Sequence, residues 1–247
     1  MENLKEKQDL LFYIYRVFDE YVEATTQMAC QRGCSLCCTP NVTLTTLEAR
    51  PVLVELEKRD LLRLLDRPVP PDRDYFRPEY TINDLALACF NGQEPPEENI
   101  GAGEGVCPLL DNEQCLVYDA RPFACRSFFS LEKCRPGEEA VVPPALIAMI
   151  TACQQIIEHL DTGGLFGNLT DLLLWLQHEE KREGHTPVFG PESYEFPFNK
   201  VLPGLVIQPE EAQKVQPFLS NLFNGMVDGE PFHVRLKAIN PLPPKGD

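Results

Sequence analysis

The chain has 247 residues, 43% of them hydrophobic, and its 22 basic against 38 acidic side chains give a net charge of −16. That length and apolar content are enough for a packed core, so the fold does not need cross-links in place of one. A surface this acidic repels phosphate backbones and excludes general nucleic-acid binding, and no segment approaches the ~20 apolar residues of a membrane span.

In chain order, Leu4, Leu11, Ile14, Phe18, Tyr21 and Val22 recur at helical spacing and predict a first helix leading towards Cys30. Charges in the first ten residues occupy the place of a signal peptide's apolar stretch, which predicts a soluble protein of the reducing cytoplasm. Thr45-Thr-Leu-Glu48 reads as a capping box for a second helix to about Leu65, with Pro51 in its early turns and the Pro-rich run from Arg67 after it. Thr81 to Asp84 predicts the cap of a short helix ending near Phe90. The acidic loop Asn91–Gly105 then reads as a solvated connector.

Cys107-Pro-Leu-Leu and Cys115-Leu-Val-Tyr118, joined through Asp111-Asn-Glu-Gln, predict a small hairpin. Asp119 is the expected cap of a short helical turn through Cys125. Pro143-Pro144 open a long amphipathic helix that Gly163-Gly164 stop, and Thr170 is the expected cap of another reaching about Arg182. Beyond Gly184 one helix is expected from Pro209 to Phe223, interrupted at Pro217, before a frayed terminus. The fold class is therefore mainly α with a small β-hairpin, an irregular cysteine-rich metal-binding core packed by amphipathic helices. Its expected divisions are an N-terminal helix (1–29), a cysteine-rich module (30–135), a helical segment on it (136–184) and a Pro-rich extension with one helix (185–247).

Eight of the ten cysteines form two blocks: Cys30, Cys34, Cys37 and Cys38, then Cys107, Cys115, Cys125 and Cys134. Vicinal cysteines such as Cys37 and Cys38 seldom bridge each other, because the ring strains their peptide; neighbours can instead serve two metal ions, or one can be a redox spare, so the eight thiols suit either two four-thiolate sites or one four-iron cluster with thiols left over. None of the four histidines lies in either block, so the expected ligands are all thiolate. Such a set suits zinc or an iron–sulfur cluster and disfavours calcium, magnesium or manganese.

Four thiolates around a dication or a cubane core leave about −2 at the site. Arg121 and Arg126, and less distinctly Arg32 and Arg135, are candidate donors to sulfur that would offset this charge. Cys89 and Cys153 fall on apolar helical spacing and read as buried small hydrophobes.

The ordered set Cys30-x3-Cys34-x2-Cys37-Cys38, Cys107-Pro, Cys115-Leu-Val-Tyr, Arg121-Pro and Cys125-Arg resembles the CxxCxxCC proteins, described as zinc- or iron-chelating domains. Its first spacing has three residues where the family's name has two. Flagellin lysine N-methylases carry a similar module, to which an iron–sulfur cluster is attributed.

The expected function is thiolate metal binding, by a four-iron iron–sulfur cluster in preference to zinc, with a redox, electron-transfer or metal-handling role. The alternatives are a methyltransferase using S-adenosylmethionine and the cluster, and a zinc-stapled module that recruits a protein partner. Cys30-x3-Cys34-x2-Cys37 also has the spacing of radical S-adenosylmethionine enzymes, but Leu36 stands where those usually have an aromatic residue, and no strand–helix repeat is present to build their barrel. Ser127, Ser130 and the histidines form no recognisable triad.

Overall fold

The computed structural model describes residues 2–65, 75–98, 105–135, 138–180 and 195–240. The run from Arg67, the middle of the acidic loop, Arg182 and the terminal segment fall outside these, wholly or in part. Among the described residues eight α-helices and three two-stranded antiparallel pairs make a mainly helical fold. No helix among them is long and apolar enough to cross a membrane.

Helix α1 (Glu2–Thr25) buries Leu10, Leu11, Ile14, Phe18 and Val22 on one stripe. That stripe packs against α5 (Pro144–Leu160), α7 (Ala212–Asn224) and α8 (Phe232–Ile239). Phe18 meets Phe123 edge-on at 4.9 Å and Phe218 at 6.3 Å, which ties the cysteine module to this first core. A second core lies between α2 (Thr46–Lys58) and α6 (Leu169–Glu180), and Leu109 and Val117 of the cysteine module insert into it. Burying each such aliphatic side chain stabilises by about 1.5–3 kcal/mol. The cysteine-rich segment is thus wedged between two cores rather than stabilised by one of its own.

The two capping boxes form as the sequence predicts. The Thr45 hydroxyl accepts the Glu48 N–H while Glu48 reaches back to the Thr45 N–H, and Thr81 and Asp84 do the same for α3 (Ile82–Phe90). Helix α2 stops at Lys58, short of the expected Leu65. Asp60 adopts φ +54, in the left-handed region, and Leu62–Leu64 continue only as a 3₁₀ turn. Pro217 does not interrupt α7: it sits on the exposed face, and the carbonyl it leaves unbonded belongs to Gln213, also exposed to water.

Three further expectations need correction. Asp119 does not cap the helix of Cys125; it lies in a 3₁₀ turn (Tyr118–Ala120), and Pro122 holds the N-cap of α4 (Phe123–Ser127). Thr170 does not cap α6 either: Asn168 Oδ1 accepts the Thr170 N–H at 3.0 Å. Between 209 and 240 there are two helices rather than one, since α8 follows a tight pair formed by β5 (Met226–Val227) and β6 (Glu230–Pro231).

One pairing had no sequence signal. Strand β1 (Thr43–Thr45) runs antiparallel to β4 (Phe166–Asn168), with Leu44 opposite Gly167. Gly167 is required there, because a Cβ would lie 2.5 Å from the Phe196 ring. Asn168 Nδ2 donates to the Pro40 carbonyl at 2.8 Å and the Phe76 carbonyl at 3.0 Å, which anchors the chain just after the first cysteine block.

Candidate metal centre

The first block is built of short turns. Gly33 takes φ +93, the Cys34 N–H bonds the Gln31 carbonyl and the Cys38 N–H bonds the Ser35 carbonyl, each at 2.9 Å. In the second block β2 (Leu110–Asp111) pairs with β3 (Gln114–Cys115) through Asn112 and Glu113, both at positive φ, as a two-residue hairpin requires. Cys125 lies within α4.

Backbone hydrogen bonds join the blocks at two seams. The Cys107 N–H donates to the Cys38 carbonyl at 2.9 Å. At the other seam the Ala29 N–H donates to the Ser130 carbonyl at 2.9 Å, and the Ser130 N–H donates to Cys30 Sγ at 3.3 Å. Ser130 Oγ in turn accepts the N–H groups of Glu132 and Val141, fixing the loop that carries Cys134.

The thiols fall into neighbourhoods. Cys38 lies within electrostatic reach of Cys107, Cys115 and Cys125, and Cys125 of Cys107, Cys115 and Cys37. Cys30 instead senses Cys34, Cys134 and Cys37. Cys37 and Cys38 share a hydrogen bond that raises the Cys37 thiol and lowers that of Cys38.

Burial pushes Cys107 up to about 11, with the Leu109 N–H working against it. Burial also raises Cys115, opposed by the Val117 N–H and by Arg121, Arg32 and Arg59. Cys125 is raised by burial and by its thiol neighbours, against Arg121. These N–H and guanidinium groups favour the thiolate that a metal would bind.

The arginines divide in a way the sequence did not reveal. Arg126 has its donors on oxygen: Asp19 at 2.9 Å, the Arg121 carbonyl at 3.0 Å and the Asp119 carbonyl at 2.8 Å, with its guanidinium 4.6 Å from the Tyr15 ring centroid. It fastens α4 to α1 instead of serving sulfur. Arg121 and Arg32 clasp the Tyr118 ring, at 3.9 and 4.6 Å, so the two blocks are also tied through one aromatic side chain. Arg59, which bonds the Leu116 carbonyl, acts on Cys115 from the end of α2, far from any cysteine in sequence. Arg135 pairs with Glu138 at 3.5 Å.

Cys153 is fully buried on α5, whereas Cys89 is exposed, because α3 turns Asn83 and Ala86 inward and leaves Cys89 on its outer face. Among the described residues no group of three or more His, Cys, Asp and Glu side chains is already closed around a point in a metal-holding arrangement. The donor chemistry fits a thiophilic metal: eight thiols, N–H groups directed to Cys30, Cys107 and Cys115, and guanidinium charge beside Cys115 and Cys125.

Fold and site together define a mainly helical protein with a cysteine-rich module. Residues 29–142, a little under half of the chain, match the model of the CxxCxxCC family, described as "Putative zinc- or iron-chelating domain". No curated protein and no solved structure matches the chain.

Proposed function

We propose that this chain is a thiolate metal-binding protein of the reducing cytoplasm, holding an iron–sulfur cluster of the four-iron type and serving a redox or electron-transfer role. The observation that carries the reading is the seam between the blocks. The Cys107 N–H donates to the Cys38 carbonyl, and the Cys38, Cys107, Cys115 and Cys125 thiols of the two blocks act on one another electrostatically there. A cluster bound at such a place supplies one-electron chemistry, at a potential that hydrogen bonds to sulfur and nearby charge tune.

The chain's own residues have defined parts in this. The Leu109 and Val117 N–H groups stabilise the Cys107 and Cys115 thiolates, and Arg121, Arg32 and Arg59 offset the negative charge that four thiolates bring. Leu109 and Val117, buried in the second core, keep the hairpin in register beneath its sulfurs. This positive surround offsets a charge that zinc and a cubane core would leave alike, and beside a cluster it would also tune the potential.

The test is anaerobic purification of the full chain with iron, zinc and acid-labile sulfide measured per polypeptide. About four irons and four sulfides, with visible absorption that bleaches in air, support the reading. One or two zincs without sulfide overturn the redox role and leave a zinc-stapled module, for which a protein partner would then be sought.

A further inference from the structure

Two adjacent cysteines can either serve one metal or divide between two, and the surroundings of Cys37 and Cys38 separate these cases. On one side stand Cys107, Cys115 and Cys125. The Cys38 carbonyl takes the Cys107 N–H, and the β2–β3 pairing sets Cys115 opposite Leu110. Cys107 and Cys115 pack against the second core, beside Leu109 and Val117. On the other side stand Cys30, Cys34 and Cys134. Cys30 packs against the first core and takes the Ser130 N–H on sulfur, in the loop that leads to Cys134. Cys107 and Cys115 thus rest on the second core and Cys30 on the first, with Cys125 on α4, whose Phe123 also belongs to the first, and the chain crosses between the two sides at the Cys37–Cys38 peptide.

We propose that the eight thiols form two four-thiolate metal sites, an inner one of Cys38, Cys107, Cys115 and Cys125 and an outer one of Cys30, Cys34, Cys37 and Cys134. This rests on the thiolate metal-binding reading above and adds the division of ligands. The outer site is the exchangeable one. Cys34 is exposed, and between the core residue Phe129 and Val142 the loop of Cys134 is held by Ser130 Oγ and by the Leu131 N–H on the Val141 carbonyl. The inner site lies under the hairpin, flanked by Arg121, Arg32 and Arg59, whose charge compensates its thiolates.

The test uses the full chain, stripped of metal under nitrogen and titrated with zinc in competition with a chromophoric chelator. The wild type takes up two zincs, one of which the chelator removes at least ten-fold faster than the other. Cys34→Ser and Cys134→Ser each take up one zinc, and the fast-exchanging ion is the one lost. Cys115→Ser loses the slow ion; should that variant fail to fold, the two outer variants decide the matter alone. A wild type that takes up one zinc, or outer variants that still bind two, overturns the division and leaves the metal-binding reading standing. A wild type that binds neither zinc nor iron overturns both.

Discussion

Glu48 accepts the backbone N–H of Phe123 at 2.8 Å, so the residue that closes the capping box of α2 also holds the first turn of the helix carrying Cys125. Its other bonds come from the Tyr15 hydroxyl at 2.8 Å and from the N–H and hydroxyl of Thr45. One buried carboxylate thereby joins α1, α2 and the second cysteine block.

Replacing Glu48 with Ala leaves the Phe123 N–H, the Thr45 N–H and the Tyr15 hydroxyl without this acceptor. Burying a donor unpaired costs about 1–3 kcal/mol, so the variant is expected to lose about 3 kcal/mol or more in urea unfolding. Tyr15→Phe removes one donor and leaves the acceptor satisfied, and should cost about 1 kcal/mol. Equal losses in the two variants would contradict the junction.

This junction marks the boundary of what the sequence made legible. Thr45 and Glu48 could be read as a capping box because their spacing is local, and the same holds for Thr81 with Asp84 and for the hairpin turn at Asn112-Glu113. The cap of α4 could not, since Asp119 stands at plausible local spacing while the actual partner lies 75 residues away. The β1–β4 pairing joins three-residue segments too short to show a period across more than 100 residues. Among the candidate site residues, the eight block cysteines stood out by their spacing. Arg126 was assigned to sulfur because it follows Cys125, yet its side chain turns to Asp19; Arg59 has no cysteine nearby in sequence to draw attention to it.

The cysteines outside the blocks give a control. Cys153→Ala empties a small volume in the first core and is expected to lower stability by about 1 kcal/mol while leaving metal per chain unchanged. Cys89→Ser, at an exposed position, should change neither quantity. Cys125→Ser should cost metal. Elemental analysis of the three purified variants checks this, and equal metal loss in all would mean the cysteines are divided wrongly.

Asp161 links α5 to α2: its Oδ2 accepts from the Thr46 hydroxyl at 2.6 Å, the Leu47 N–H at 3.0 Å and Asn199 Nδ2 at 2.9 Å. Burial outweighs these donors and pushes it from 3.8 up to about 6, as it pushes Glu158 from 4.5 up to about 7. A carboxyl raised on folding is held protonated more tightly by the native state, so its contribution is full below its unfolded value and is lost as pH rises through the folded one. Stability from this pair should fall between about pH 4 and pH 7 and level off above. His159, kept neutral by burial, acts in the opposite direction, and metal loss in acid does too. The prediction is therefore differential. From pH 5 to 8, urea midpoints of Asp161→Asn should decline less than those of the wild type, and parallel curves would count against the shift.

Arg121 and Arg126 lie five residues apart and are expected to fail differently. Arg121 lowers the thiols of both Cys115 and Cys125 and stacks on Tyr118 beside Arg32. Arg121→Gln removes that charge, and groups acting on ligands in this way are worth about 10–100-fold in metal affinity. Arg126 bonds Asp19 across to α1, with a side chain only 13% exposed, so Arg126→Gln breaks a largely buried ion pair and should cost about 2–3 kcal/mol. Measuring zinc affinity by chelator competition and stability by urea unfolding on both variants separates the roles. Arg121→Gln should weaken affinity at least ten-fold with a stability change under about 1 kcal/mol. Arg126→Gln should lower stability while affinity, measured well below the unfolding midpoint, stays within about two-fold. If Arg126→Gln weakened zinc as much as Arg121→Gln does, its guanidinium would have to act on the thiols rather than on Asp19 alone.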